Sequence, residues 1–356
     1  MAIRSNTIDV AKGIGIILVV LGHNWIVYHE EWLTEIIFSF HMPLFFFLSG
    51  IFIKRSMGMG EFLRSRTNSL LKPFFVVLVI LGGIKLVAGN LVPGVEPLPC
   101  VKYSVGILYG TGSTLAWGPM WFLPHLFISL TFSFMVLRFL PSERVYEAYL
   151  IAGILLLSGI MFMDLFWRQG EVRIGLFEIS RKQGLPWSID ILPITSSFVI
   201  VGCQLGQYVQ TMKFNIWGLI ISLNSFAILY SYSGACMDLN GRTYGAGINS
   251  TLLAACGIYI CFSVSSLLQK SKLFQYMFSY VGSRTLYVLI FSTFFQDKAF
   301  LLLSKFVRAP YLVGVVSLIS GVVFSLVLWE AAHWNWFRGG NREESREIEC
   351  MMCAKR

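Results

Sequence analysis

The chain has 356 residues, 56% hydrophobic and 13% charged, with a mean hydropathy of +0.68, values that exclude an ordinary water-soluble domain. Its formal charge of +9 would suit nucleic acid, yet apolar runs of about 20 residues recur throughout. The orientation of a membrane protein accounts for most such cations, with no nucleic-acid partner.

Ten spans are expected in chain order, at approximately 8–28, 34–53, 73–92, 117–139, 148–166, 187–208, 215–233, 248–268, 280–303 and 311–334. Each is long enough to cross a hydrocarbon core. Abundant Phe (30), Trp (10) and Tyr (14) suit packed helices with aromatic belts at the interfaces. Between the third and fourth spans, 93–116 is polar and Gly-rich and suits a loop or re-entrant segment. The expected fold class is an all-α polytopic membrane protein, with one transmembrane domain over 1–337 and an Arg- and Glu-rich tail over 338–356.

The first span holds the most informative pair. Lys12 and His23 are separated by about three helical turns, which puts them on one stripe, roughly 16 Å apart at about 1.5 Å per residue. Asp9, one turn before Lys12, is placed to pair with it. Ionisable side chains at membrane depth are costly and face a protein interior with a task. A Lys near one end and a His near the other suit two parts of one long ligand. The embedded Lys12 and the lack of a small-residue cleavage site after His23 argue for an uncleaved span.

Orientation follows from the loops. One side, with both termini, collects 16 Lys and Arg against 9 on the other and 3 embedded, out of 28 in the chain. The expectation is that both termini are cytoplasmic. Loop 167–186 is the exception, since Arg168, Arg173, Arg181 and Lys182 put four cations on the outer side. Cys350 and Cys353 have CxxC spacing, but a structural zinc site needs four ligands and no second pair is near; no metal site is expected. Cys100 and Cys236 both fall in outer loops, where a disulfide is open.

Six stretches, in order, resemble the membrane-bound acyltransferase 3 family, and within it the fucose 4-O-acetylase-like subgroup. They are the Lys12 and His23 pair, His41-Met-Pro-Leu-Phe-Phe-Phe-Leu-Ser-Gly50, Arg66-Thr-Asn-Ser-Leu-Leu-Lys-Pro-Phe-Phe75, Gly118-Pro-Met-Trp-Phe-Leu123, Leu185-Pro-Trp-Ser-Ile-Asp190 and Met237-Asp-Leu-Asn-Gly-Arg-Thr-Tyr244. The resemblance runs from about residue 4 to about 290. One departure is clear: relatives often carry a His after the Gly282-Ser-Arg-Thr285 segment, where this chain has Ser292.

The resemblance implies transfer of an acyl group, usually acetyl from acetyl-CoA, to a sugar hydroxyl of a glycan or lipid-linked sugar at a bacterial inner membrane. No tightly bound cofactor is implied; acyl-CoA is a donor substrate. Attack by so weak an acid as a hydroxyl calls for a positioned base, and His23 fits by residue type, depth and motif. His41, Asp190, Trp121 and Trp187 fall near the same outer face and suit a pocket for the acceptor, because aromatic rings stack on sugars while Asp and His bond to hydroxyls. The tryptophans equally suit an interfacial belt. On the inner side, 54–72 holds Lys54, Arg55, Arg64, Arg66 and Lys72 against the single acid Glu61. Lys12, Arg66 and Arg64 are the expected contacts of the CoA phosphates. Direct transfer is expected, since no Cys or triad-like Ser stands beside His23. A multi-span transporter or flippase of a glycan or lipid-linked sugar is the alternative; the repeated, broken halves common in transporters are not found.

Overall fold

The computed structural model describes residues 6–91, 98–141, 143–174, 177–233, 237–245 and 247–339. The protein is an all-α polytopic membrane protein. The helices are α1 (Asn6–Gly22), α2 (Trp25–His29), α3 (Glu31–Ile51), α4 (Met59–Arg66), α5 (Lys72–Leu91), α6 (Cys100–Tyr109), α7 (Phe122–Phe139), α8 (Val145–Phe166), α9 (Leu192–Gln210), α10 (Ile216–Ser233), α11 (Ile248–Leu268), α12 (Lys272–Gly282), α13 (Thr285–Leu303) and α14 (Pro310–Gly339). Two small antiparallel hairpins complete it: β1 (Glu171–Ile174) with β2 (Phe177–Ser180), and β3 (Met237–Asp238) with β4 (Thr243–Tyr244).

Among the described residues, eight helical stretches are long and apolar enough to cross a membrane, and α1 and α10 match the two other expected spans. Large apolar side chains face outward, such as Val79 and Ile84 on α5, Leu150 and Met161 on α8, and Val323 and Phe324 on α14. Such wide apolar surfaces are those a bilayer covers.

Two expectations about the spans need correction. The first span is not one helix. It ends at Gly22 and resumes at Trp25, where the Asn24 side chain caps α2 by accepting from the Ile26 N–H. The ninth breaks at Ser283–Arg284, between α12 and α13. Between the third and fourth spans, α6 has 10 residues, about 15 Å, half of what a crossing needs. Residues 92–97, most of the tail from 340 onward, and Cys236, Cys350 and Cys353 lie outside the described residues.

Glycines set the closest helix contacts. On α3 and α9, a Cβ at Gly50 would lie 2.0 Å from the Val199 carbonyl oxygen, and one at Gly202 would lie 2.0 Å from that of Phe47. The two backbones therefore touch, as small residues permit in membranes. The same reciprocal fit joins α1 and α12 at Gly13 and Gly282. α4 is anchored to α7 by Phe62, which is fully buried and stacks on Phe134 at 4.1 Å.

Between α4 and α5 the chain makes a π-helical turn, Thr67–Leu71. Pro73 has no N–H to offer the Ser69 carbonyl, and the Lys72 N–H bonds instead to the Thr67 carbonyl. The wider turn changes which side chains the helix presents to the bundle.

On the side where α1 ends, residues 98–117 and the two hairpins form a cap. It is tied together by Tyr109, whose hydroxyl donates to the Gly184 carbonyl (2.6 Å), and by Arg181, which donates to the Arg242 carbonyl (2.6 and 3.0 Å).

Candidate active site

α1 and α3 run antiparallel. Gly22 lies against Phe38, Gly15 against Leu44 and Phe45, and the Lys12 ammonium sits 4.1 Å over the Phe52 ring. His41 and Phe52, which directly follows α3, have the same spacing as Lys12 and His23, which directly follows α1, so the two antiparallel segments bring matching ends together. Between them, α7 and α13, and against the π turn, lies a cavity of about 540 Å³.

One end of the cavity is basic. Lys12 lies 3.8 Å from Asp9, and Arg66 donates to the Phe52 carbonyl at 3.4 Å. The Arg66 Nε is buried and has no hydrogen-bond partner. A buried guanidinium N–H left without an acceptor costs free energy that an incoming anion would recover. Ser49 and Ser69 stand at this end too. The middle is apolar, walled by Ile16, Val19, Phe45, Leu126, Leu130 and Leu289.

The other end holds His23, His41 and Trp121. His41 is buried, with its Nδ1 2.8 Å from the Ile37 carbonyl oxygen. A carbonyl only accepts, so Nδ1 carries the proton and Nε2 of the neutral ring keeps its lone pair. His23 occupies the break after α1. Its backbone carbonyl accepts from Gln296 Nε2 on α13 at 2.8 Å. The Asn24 amide nitrogen in turn lies 3.1 Å from Gly314 O, 3.2 Å from Ser317 Oγ and 3.3 Å from Gln296 Oε1. Asn24, Gln296 and Ser317 are each 1% exposed, so α13 and α14 fix the break by a buried amide network. Asp238 of β3 is near enough to act electrostatically on His23.

The residues expected to form the site therefore fall into two groups. Lys12, Arg66, His23, His41 and Trp121 line one cavity. Arg64, Trp187 and Asp190 do not. Arg64 is exposed on α4. Trp187 has a positive φ of 53° and donates from Nε1 to the Leu108 carbonyl at 2.9 Å, within the cap. Asp190, expected in an open acceptor pocket, is instead in a buried ion pair. Its Oδ2 lies 3.1 Å from Arg242 Nε, and both side chains are 0% exposed. Trp167 Nε1 also donates to Asp190 Oδ2 (3.1 Å), and Arg242 donates to Ser188 Oγ (2.7 Å) and to the Asn240 carbonyl. The attraction between this buried carboxylate and guanidinium, with the hydrogen bonds around them, offsets the desolvation that both suffer. His125 is likewise committed, to the Trp187 carbonyl and Thr195 Oγ1, both at 3.0 Å. Arg284 pairs with Glu330 at 3.6 Å between the Tyr280 and Trp329 rings and does not line the cavity.

Sequence reasoning missed Phe52, Ser69 and the Asn24–Gln296–Ser317 network. Amides deep in apolar segments were the available signal for the network; nothing in local pattern marks Phe52.

A family model described as an acyltransferase domain matches residues 5–330. No curated protein and no solved structure matches the chain.

Proposed function

The chain belongs to the acyltransferase family matched over residues 5–330, and from that premise we propose that it moves an acetyl group from cytosolic acetyl-CoA to a sugar hydroxyl of a glycan or lipid-linked sugar. The observation that carries this reading is the single cavity with cations at one end and two histidines at the other. That polarity suits a long donor with phosphates at one tip and a thioester at the other. Lys12 and Arg66 hold the phosphates, and the apolar middle accepts the thin arm.

At the far end, the acceptor hydroxyl oxygen attacks the thioester carbonyl carbon while His23 takes the hydroxyl proton. The tetrahedral intermediate then collapses, the C–S bond breaks, and the imidazolium returns the proton to the leaving thiolate. His41 Nε2 accepts a hydrogen bond from the acceptor, and the Trp121 ring stacks on its apolar face. Among the described residues no cysteine lines the cavity, and Ser49 and Ser69 stand at the basic end, which supports direct transfer over an acyl-enzyme. The motif set supports kinship with fucose 4-O-acetylase-like proteins and a bacterial inner membrane as the location.

Donor binding tests the reading. Lys12→Ala and Arg66→Ala each remove a charge-assisted contact worth about 1.5–3 kcal/mol. Titration of purified variants with labelled acetyl-CoA is expected to show roughly a 10- to 150-fold rise in Kd, with Lys12→Arg far milder. Unchanged affinity in both alanine variants, or no binding by the native protein, would remove the donor site.

Sidedness is a separate expectation, since the Lys/Arg count supports cytoplasmic termini. Ile189 is 50% exposed on the His23 side, and Gly60 is exposed near the basic end. In a background without native cysteines, Ile189→Cys is expected to react with an impermeant thiol reagent added outside cells, and Gly60→Cys to stay protected. The reverse pattern inverts the topology.

A further inference from the structure

A second cleft, of about 400 Å³, lies in the cap between α6 and the β1–β2 hairpin. Lys102 and Lys182 stand on its opposite walls, with Tyr109, Thr114, Ser180 and Gln183 adding hydroxyls and an amide. It is a built feature. The Tyr109 bond to Gly184 ties the walls together, and a Cβ at Gly106 would lie 2.3 Å from the Thr114 carbonyl oxygen, so α6 rests directly on the cleft floor.

Three observations say what it takes. First, the hairpin loop is the one that breaks the charge bias between the two sides. Arg181 is accounted for by its bonds to the Arg242 carbonyl, whereas Lys182 points to the cleft for its explanation. Second, α6 turns an apolar stripe outward: Val101, Val105 and Leu108 are 80%, 56% and 68% exposed, and Val105 also borders the cleft. A short helix with such a stripe beside cations belongs at a membrane interface, apolar flank in the acyl region and lysines at head-group depth. Third, one chain segment connects the cleft to the catalytic cavity. Ser113 and Thr114 line the former, and Pro119 and Trp121 the latter. Five residues from Thr114 to Pro119 span at most about 18 Å.

We propose that this cleft binds the phosphate of an amphiphilic acceptor, a sugar carried on a polyprenyl phosphate or diphosphate. Lys102 and Lys182 engage the phosphate oxygens, the hydrocarbon chain lies along the Val101–Val105–Leu108 stripe, and the sugar extends past residues 114–119 toward His23. The assignment of this ligand as acceptor rests on the transferase reading above; the binding site itself does not.

The test uses full-length protein in phosphatidylcholine nanodiscs, titrated with undecaprenyl diphosphate, undecaprenol and inorganic diphosphate. Undecaprenyl diphosphate is expected to bind at least about ten-fold more tightly than either of the others, the scale of one charge-assisted contact. The Lys102→Glu/Lys182→Glu double variant is expected to lose that advantage while binding acetyl-CoA as the native protein does, and Lys102→Arg/Lys182→Arg to keep it. Equal affinity of the native protein for undecaprenol, or for inorganic diphosphate, overturns the proposal, and so does undiminished binding by the glutamate variant. Full competition by phosphatidylglycerol nanodiscs reveals a general head-group attraction and overturns it as well. Failure of the native protein to bind acetyl-CoA sinks the transferase reading and leaves the lipid titration to decide the cleft.

Discussion

His23→Ala lowers acyl transfer at least about 10²-fold, the usual scale for a lost general base, while the protein still folds and still binds acetyl-CoA. The expectation follows from position. His23 is held through its backbone carbonyl by Gln296, and Asn24 carries the remaining bonds of the network, so removing the imidazole leaves the helix break intact. The measurement is single-turnover acetyl transfer to a glycan acceptor, beside thermal unfolding and donor titration of the same preparation. Near-native transfer would show that His23 is structural and would move the proton to His41, whose Nε2 is the other ring nitrogen available at that end.

Asp190→Ala has its effect on the fold. It leaves the Arg242 guanidinium buried beside no carboxylate, and breaking a buried pair from one side costs about 3–5 kcal/mol. The Trp167 indole N–H loses its acceptor in the same step. Thermal unfolding in detergent is expected to show a marked drop in midpoint, with donor affinity close to native in the folded fraction. Asp190→Ala combined with Arg242→Met is expected to recover much of the loss, because neither charge is then stranded; the double-mutant cycle isolates the coupling. A single variant as stable as the native protein but unable to use acceptor would instead return Asp190 to the acceptor site.

The spans were legible because each one is a run of apolar residues whose length the bilayer itself sets. The Lys12 and His23 spacing was legible because a helix repeats, and their meeting in one cavity survives the break at Gly22. The break itself was hidden. Hydropathy does not register a helix end whose polar groups are satisfied by Gln296, 273 positions away from His23. Asp190 was misread for a related reason. A carboxylate in an apolar segment signals a partner, but that partner, Arg242, stands in another loop, 52 positions later, at a positive φ of 56°. Arg66 was found through its motif, whereas the π turn that follows it, which a missing N–H at Pro73 favours, is announced by no periodicity.

The early end of α1 also bears on bilayer thickness. A helix of 17 residues rises about 26 Å, some 4 Å less than a hydrocarbon core of about 30 Å. With α1 starting at the inner edge of that core, His23 would stop short of the outer edge, a mismatch that a bilayer meets by thinning or by admitting water. On the proposed function, a polar acceptor would reach the imidazole there without crossing oil. Thicker, more ordered lipids would deepen the descent, so the transfer rate is expected to fall as the surrounding bilayer thickens.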